Sequence, residues 1–312
     1  MVANSTATAA SAVPLTDGCP APGIYEGVEP AEYFAWNAIS NSKLHAAKRS
    51  MLHYLTQRSV EETSAMRLGS LTHTGTFEPE ALGQRYVVMP RYEDQVRKPD
   101  GSQYDSPRSS KAYKELVATF HEQNQDRTVV TAEQFDAMLG MVDSLSNHDV
   151  ATDLLTGGLC EVSIVWRDPV TRLMLKGRTD HWQRDRRLVS DFKTGWDIEG
   201  VEKQIENRGY YRQLGMYCDG FELLTGERHT GAIVVAETSP PYSVKAAPLD
   251  DEYLDAGRAE YRRLLDQIAE CIQSNNWPGV ESPAVWTRPV WAVERPTLDI
   301  DWSGVVMEEN AR

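Results

Sequence analysis

Ten residues separate Asp180 from the triplet Asp191-Phe192-Lys193. On a β-strand, positions i and i+2 face the same way. Asp191 and Lys193 would therefore project side by side, with Phe192 turned into the core. Asp180 closes the preceding predicted strand, where strand pairing can bring it alongside. Two carboxylates and an ammonium would then converge. Phosphodiester hydrolysis uses these parts. Hard oxygen ligands hold Mg²⁺, the metal polarises the phosphate and lowers the pKa of an attacking water, and a lysine positions that water or stabilises developing negative charge. The same triplet taken alone also describes a surface ion pair worth little energetically, so the neighbouring residues decide.

Three further groups bear on the choice. Gly69 and His73 lie in LGSLTHTGTFEPE, where small residues would let another backbone or a ligand come close. His73 is either a structural residue of its helix or, as a neutral imidazole, a third metal ligand. Gln213 and Tyr217 in YYRQLGMYCDG are four residues apart, which puts them on one helix face just after the Asp191/Lys193 strand. Gln can hydrogen-bond to phosphate or a metal-bound water, and Tyr can stack or donate. Glu161, at the start of a predicted hairpin, either joins the carboxylate cluster or faces solvent.

The elements that must position these groups follow from periodicity and punctuation. Residues 38–56 are predicted as a helix with Ser40 or Ser42 as N-cap, and Ser64 to Phe77 as a second. Residues 91–110, polar with Pro99, Gly101 and Pro107, form a long loop of the kind associated with function or mobility. Helices are predicted over 111–123 and 131–156. The character changes at Cys160. Strands at 160–167 and 173–180 flank the turn Asp168–Arg172, and 187–194 makes a third strand ended by Gly195. A helix over about 200–224, a strand at 231–237 and a helix at 251–274 follow. The segment from Trp277 on is irregular, and residues 1–22 are read as a disordered tail. The expectation is an α/β fold: one domain over 23–312, mainly helical in 23–156, with the core and its Asp-x-Lys strand in 157–312.

The chain has 312 residues, 41% of them hydrophobic and 25% charged, ordinary values for a globular protein. No run approaches the ~18 apolar residues that cross a bilayer. The first residues lack the basic start and apolar stretch of a secretory signal, so a soluble, cytoplasmic protein without membrane partners is expected. Cys19, Cys160, Cys218 and Cys271 form no CxxC pair, so neither a zinc nor an iron–sulfur site is expected. No GxxxxGK[ST] is present, so no ATP site is expected. The net charge of −14 is unusual for a protein that grips DNA, whose footprint is basic. Any such footprint must be local, and part of the acid would be metal ligands.

Taken together and in order, these motifs resemble the RecB-like branch of the PD-(D/E)XK nucleases, and within it the RecE-type (exonuclease VIII-like) family. The likeness spans roughly residues 33–295. WNAISNSKLHAAKRSMLHYL resembles the family's first helix, Gly69 and His73 its Gly-x-x-x-His element, and Glu161 to Asp180 its hairpin. Asp191 and Lys193 match its Asp-x-Lys strand, and Gln213 and Tyr217 its Gln-x-x-x-Tyr motif. The resemblance implies a PD-(D/E)XK core, a central mixed β-sheet flanked by helices with N-terminal helical additions. It implies metal binding by His73, Asp180 and Asp191, with the Phe192 carbonyl a further ligand, and Lys193 as catalytic lysine. Mg²⁺ would be the cofactor, with Mn²⁺ substituting. The implied activity is a 5′→3′ exonuclease on double-stranded DNA ends that leaves 3′ single strands for a RecT-type annealing protein in recombination. Family members form homo-oligomeric rings around DNA. A ring would let an acidic chain line one channel with Lys43, Lys48, Arg49, Arg67, Arg178, Lys203, Arg208 and Arg212. The competing readings are a structure-specific or single-strand repair nuclease on the same core, and an inactive DNA-binding or assembly protein.

Overall fold

A computed structural model describes residues 18–58, 62–283 and 285–288. The chain divides into two compact units, Met1–Gly279 and Val280–Arg312. All helices and strands below belong to the first. The described residues of the second carry no regular element. Of the predicted tail, residues 1–17 lie outside the described residues.

In chain order the elements are β1 (Gly23–Tyr25), α1 (Pro30–Ala35), α2 (Asn41–Arg49), α3 (Met51–Thr56), α4 (Ser64–Phe77), α5 (Leu82–Arg85), β2 (Tyr86–Val88), α6 (Lys111–Gln123), β3 (Thr128–Val130), α7 (Ala132–Ser146) and α8 (Asp149–Leu155). The core follows with β4 (Leu159–Arg167), β5 (Met174–Gln183), β6 (Leu188–Gly195), α9 (Val201–Arg208), α10 (Tyr210–Thr225), β7 (Thr230–Glu237), β8 (Val244–Pro248) and α11 (Asp251–Ser274). The predicted mixed α/β architecture is what forms. A six-stranded sheet runs in the order β1-β4-β5-β6-β7-β8. It is antiparallel throughout except where β6 pairs with β7 in parallel. That pair needs a crossover, supplied by α9 and α10. One sheet face packs on a core that includes Leu44 of α2, Leu214 and Phe221 of α10 and Leu265 of α11. The other packs on Met141, Leu145 and Leu154 of α7 and α8. β2 and β3 form a separate two-stranded sheet.

Three predicted helices are each broken in two, for identifiable reasons. Residues 38–56 divide at Ser50, whose backbone is extended and whose side chain caps α3 by accepting from His53 N. Residues 131–156 divide at Asn147 and His148, and the His148 ring accepts from Ala151 N. Residues 200–224 divide at Gly209, with φ +69°. This is the left-handed conformation that glycine adopts freely at a helix end. The predicted strand ending at Asp180 instead continues to Gln183. The short strands β1 and β8 and helix α1 were not predicted. The 91–110 loop contains two 3₁₀ turns, at Tyr92–Asp94 and Pro107–Ser109, tied together by an Arg108–Glu93 ion pair of 2.5 Å.

Helix α10 is held against α11 by glycines. A Cβ on Gly215 would lie 2.9 Å from both Arg258 N and Leu254 O, and one on Gly257 would strike the Tyr211 carbonyl. Side-chain-free positions are therefore what allow the two backbones to approach. Gly257→Ala is expected to lower stability by ~1–3 kcal/mol, the range for overpacking. That is a fall of several degrees in Tm by circular dichroism. An unchanged Tm would show that the crossing tolerates a methyl group.

Candidate active site

The site forms where the alternation of β5 slips. A Cβ at Gly177 would meet the Tyr217 ring on α10, and Trp182 stacks on Phe221 of the same helix at 4.6 Å. Strict alternation puts positions five apart on opposite faces, yet both meet α10. The slip lies between them, and so does Asp180. Across β4, Cys160 pairs with His181 and Val162 with Thr179, so Glu161 falls opposite Asp180. Its φ is +52°, a left-handed backbone that disfavours a residue with a Cβ. Across β6, His181 pairs with Ser190, and one step further along this register Asp180 meets Asp191. Carboxylates on three neighbouring strands thus come level.

Hydrogen bonds then sort them. Asp180 Oδ2 accepts from Phe192 N at 2.6 Å, and its Oδ1 lies 3.6 Å from His73 Nδ1 on α4. Asp191 Oδ1 accepts from Gln213 Nε2 at 2.8 Å. Lys193 Nζ stands 2.7 Å from Asp191 Oδ2 and forms an ion pair with it. Gln213 Oε1 accepts from Asn41 Nδ2 of α2 at 3.4 Å, and Tyr217 OH is within 3.5 Å of Gln213 Nε2. Phe192 is fully buried, and the His73 ring packs on its ring at 5.0 Å.

Burial sets the electrostatics. It pushes the Glu161 carboxyl up to about 8, with the Asp180 charge adding to the shift. It raises Asp180, although Lys193 and the Phe192 N–H oppose it. It takes Asp191 up to about 6 against the pull of Lys193. Burial and then Lys193 push His73 down to about 4, so its imidazole is neutral near neutral pH and able to ligate. Burial works to lower Lys193, but Asp191 and Asp180 outweigh it and keep the ammonium charged.

The structure brings together His73, Glu161 and Asp180, which offer ligand atoms within 4.8 Å of one another. The resemblance groups Asp191 with His73 and Asp180; its carboxylate meets Gln213 and Lys193, with Asp180 and His73 close enough to act on it. Glu161, left open between cluster and solvent, joins His73 and Asp180. Imidazole nitrogen with carboxylate oxygens suits a divalent cation. The mutual repulsion of Glu161 and Asp180 is what such a cation would relieve. The small residues near His73 serve packing. A Cβ at Gly75 would lie 2.6 Å from Met138 Sδ, and one at Gly69 would lie 3.4 Å from Thr194 Oγ1. Among the basic residues expected on a channel, Arg212 is instead fully buried, bonded to Glu260 at 3.0 Å. Lys48 pairs with the same Glu260 at 2.7 Å. Arg49, Lys203 and Arg208 are exposed. Sequence reasoning missed Asn41, whose only cue is its place beside the Ser40 cap.

Residues 40–283 match the family described as a PDDEXK-like domain of unknown function, DUF3799. The chain belongs to that family. The PDDEXK-like fold is also similar to a solved structure from Eubacterium rectale described as a candidate exonuclease, with a TM-score of 0.54 and 12% identity over 85% of this chain and 97% of that one. A phage related exonuclease from Haemophilus somnus 129PT is 12% identical over 54% of this chain and 85% of that one, at a TM-score of 0.29 too low to carry weight. No protein of curated function matches the sequence. No helix among the described residues is long and apolar enough to cross a membrane.

A carboxyl whose pKa is higher folded than unfolded weakens the fold as pH rises past the unfolded value, up to the folded one. Glu161, raised from 4.5 to about 8, has that sign. Glu161→Gln removes the charge and keeps the shape. In EDTA at about pH 8 it is expected to raise the Tm of this PDDEXK-like domain by several degrees, measured by differential scanning fluorimetry. A lower Tm would show that Glu161 stabilises the metal-free fold, against the repulsion described here.

Proposed function

We propose that the protein is a metal-dependent DNA nuclease, and in finer detail a 5′→3′ exonuclease on double-stranded DNA ends that leaves 3′ single-stranded tails. The observation that carries the nuclease reading is the convergence of His73, Glu161 and Asp180 beside an Asp191–Lys193 pair in a PDDEXK-like fold. The finer reading rests on the order of motifs resembling the RecE-type family. Partners follow from it: duplex DNA ends, further copies of this chain in a ring, and a RecT-type annealing protein.

His73, Glu161 and Asp180 would hold Mg²⁺, with Asp191 Oδ2 and the Phe192 carbonyl at hand as further oxygen donors. Mn²⁺ would substitute. Bound there, the ion supplies Lewis acidity toward a phosphate oxygen and a more acidic water. The chain's own groups do the rest. Lys193 keeps its proton and lies where it can orient the attacking water or neutralise charge developing on the phosphate. Gln213 fixes the Asp191 carboxylate from the α10 side. Tyr217, buried with its hydroxyl held well above its usual pKa, stays neutral and supports Gln213.

Lys193→Ala is expected to lower cleavage of linear duplex DNA in Mg²⁺ at least about a hundredfold, the scale of losing one preorganised charge-stabilising group. DNA affinity measured in Ca²⁺, whose looser coordination sphere activates water poorly, should stay largely intact. Cleavage unchanged in this variant would contradict the mechanism. With the duplex labelled at either end, the 5′ label should be released first and a covalently closed circle left uncut. A cut circle would replace the exonuclease with an endonuclease on the same core.

A further inference from the structure

Beside the carboxylate site lies a cleft of about 760 Å³, within the ~300–1,000 Å³ typical of ligand pockets. Gln213 and Tyr217 form its inner wall, and Gln213 is the residue that donates to Asp191. The outer walls come from α1, α2 and α3 with the connections around them. The chain carries a formal charge of −14. Even so, among the described residues no Asp or Glu lines this cleft, whereas Lys43, Arg58 and Lys176 do.

The two lysines differ in a way that decides what the cleft is for. Lys176 is spent on structure. It is buried, and its Nζ donates to the carbonyls of Tyr33 at 2.7 Å and Trp36 at 2.9 Å. This fixes the end of α1 to β5 and holds the wall in place. Lys43 is half-buried, and burial lowers its pKa. Among the described residues no carboxylate or carbonyl meets its ammonium, and it stands close enough to Lys176 for the two charges to repel. A desolvated cation without a counter-charge weakens the fold. It is the arrangement that suits an anion arriving from outside. The Phe34 ring also lines the cleft and is 76% exposed, held edge-on to Tyr33 at 5.6 Å. An exposed ring in one cleft with a cation that no described carboxylate meets matches a polymer that alternates flat rings with phosphates. It matches an acidic peptide poorly, which offers the charge without the rings.

We propose that this cleft binds single-stranded nucleic acid on its way to the carboxylate site, with Lys43 on a phosphate and Phe34 beneath a base. The placement next to a scissile phosphate rests on the nuclease reading; the binding does not. Stacking on an aromatic ring is indifferent to sequence, so the cleft would accept any unpaired strand.

The test is fluorescence anisotropy of the full chain with a fluorescein-labelled oligothymidylate, in Ca²⁺ and again in EDTA. Phe34→Ala is expected to weaken binding at least about fivefold, the low end of what one stacked base contributes. Lys43→Gln is expected to weaken it and to flatten the salt dependence by about 0.7 in log–log slope, one single-strand phosphate contact. It should also leave the Tm of the free protein equal or higher, since it removes an unpaired charge. Lys111→Gln, on an exposed lysine of α6, should bind as the wild type does. Three results would overturn the proposal: no binding by the wild type in either condition, wild-type affinity in both cleft variants, or displacement by polyglutamate or thymidine monophosphate as effective as by the oligonucleotide. Binding with these losses in a protein that cuts nothing in Mg²⁺ or Mn²⁺ would sink the nuclease and leave the cleft standing. Cleavage with unaltered variants would do the reverse.

Discussion

Like charges held together out of water are the constraint on which the rest of the structure depends. Glu161, Asp180 and Asp191 come level on adjacent strands, and burial raises the pKa of each. Left to itself such a cluster would take up protons or push apart. The fold opposes this with a small set of donors: the Phe192 N–H on Asp180, the Gln213 amide on Asp191, and the Lys193 charge. Those groups still leave Glu161 facing Asp180. A divalent cation would relieve that repulsion; without one, Glu161 keeps its proton up to about pH 8.

Position in the fold explains how so few residues manage it. The site sits where regularity fails: β5 loses its alternation at Asp180, Glu161 takes a left-handed backbone, and Gly209 breaks the crossover helix. Local irregularities of this kind are where stability is traded for function. The crossover that makes β6 and β7 parallel also swings α10 over the sheet, and this brings Gln213 to Asp191. The glycine-mediated crossing with α11 fixes α10 in turn. The hydrogen bond from Asn41 to Gln213 links the N-terminal helices to the same point, so the cleft walls and the carboxylates share one anchor.

Much of this was legible in the chain. The Asp191–Lys193 pair and the inward Phe192 follow from two-residue periodicity, and the hairpin from the DPVTR turn between alternating segments. His73 and Asp180 were grouped through the resemblance and do lie together, whereas the third carboxylate beside them depends on a long-range register. Glu161 could not be placed from its strand, since its inward turn depends on a positive φ that periodicity does not encode. The helix breaks at Ser50 and Gly209 carried ordinary capping signals, Ser in KRSM and Gly after Arg208, inside stretches whose apolar spacing continued across them. Arg212 read as a surface base. Only the packing of α2, α10 and α11 reveals it as a buried partner of Glu260. Phe34 and Lys176 gave no local cue, because the cleft they build joins segments more than a hundred residues apart.

The central claim is that the carboxylate cluster exists to hold a divalent cation, and titration with Mn²⁺ followed by electron paramagnetic resonance tests it directly. The account predicts that the wild-type chain depletes the free-ion signal with saturable stoichiometry, and that Asp180→Asn, with its fold intact by circular dichroism, does not. A wild-type chain that leaves the free-ion signal unchanged, or an Asp180→Asn variant that binds as tightly as the wild type, would contradict it.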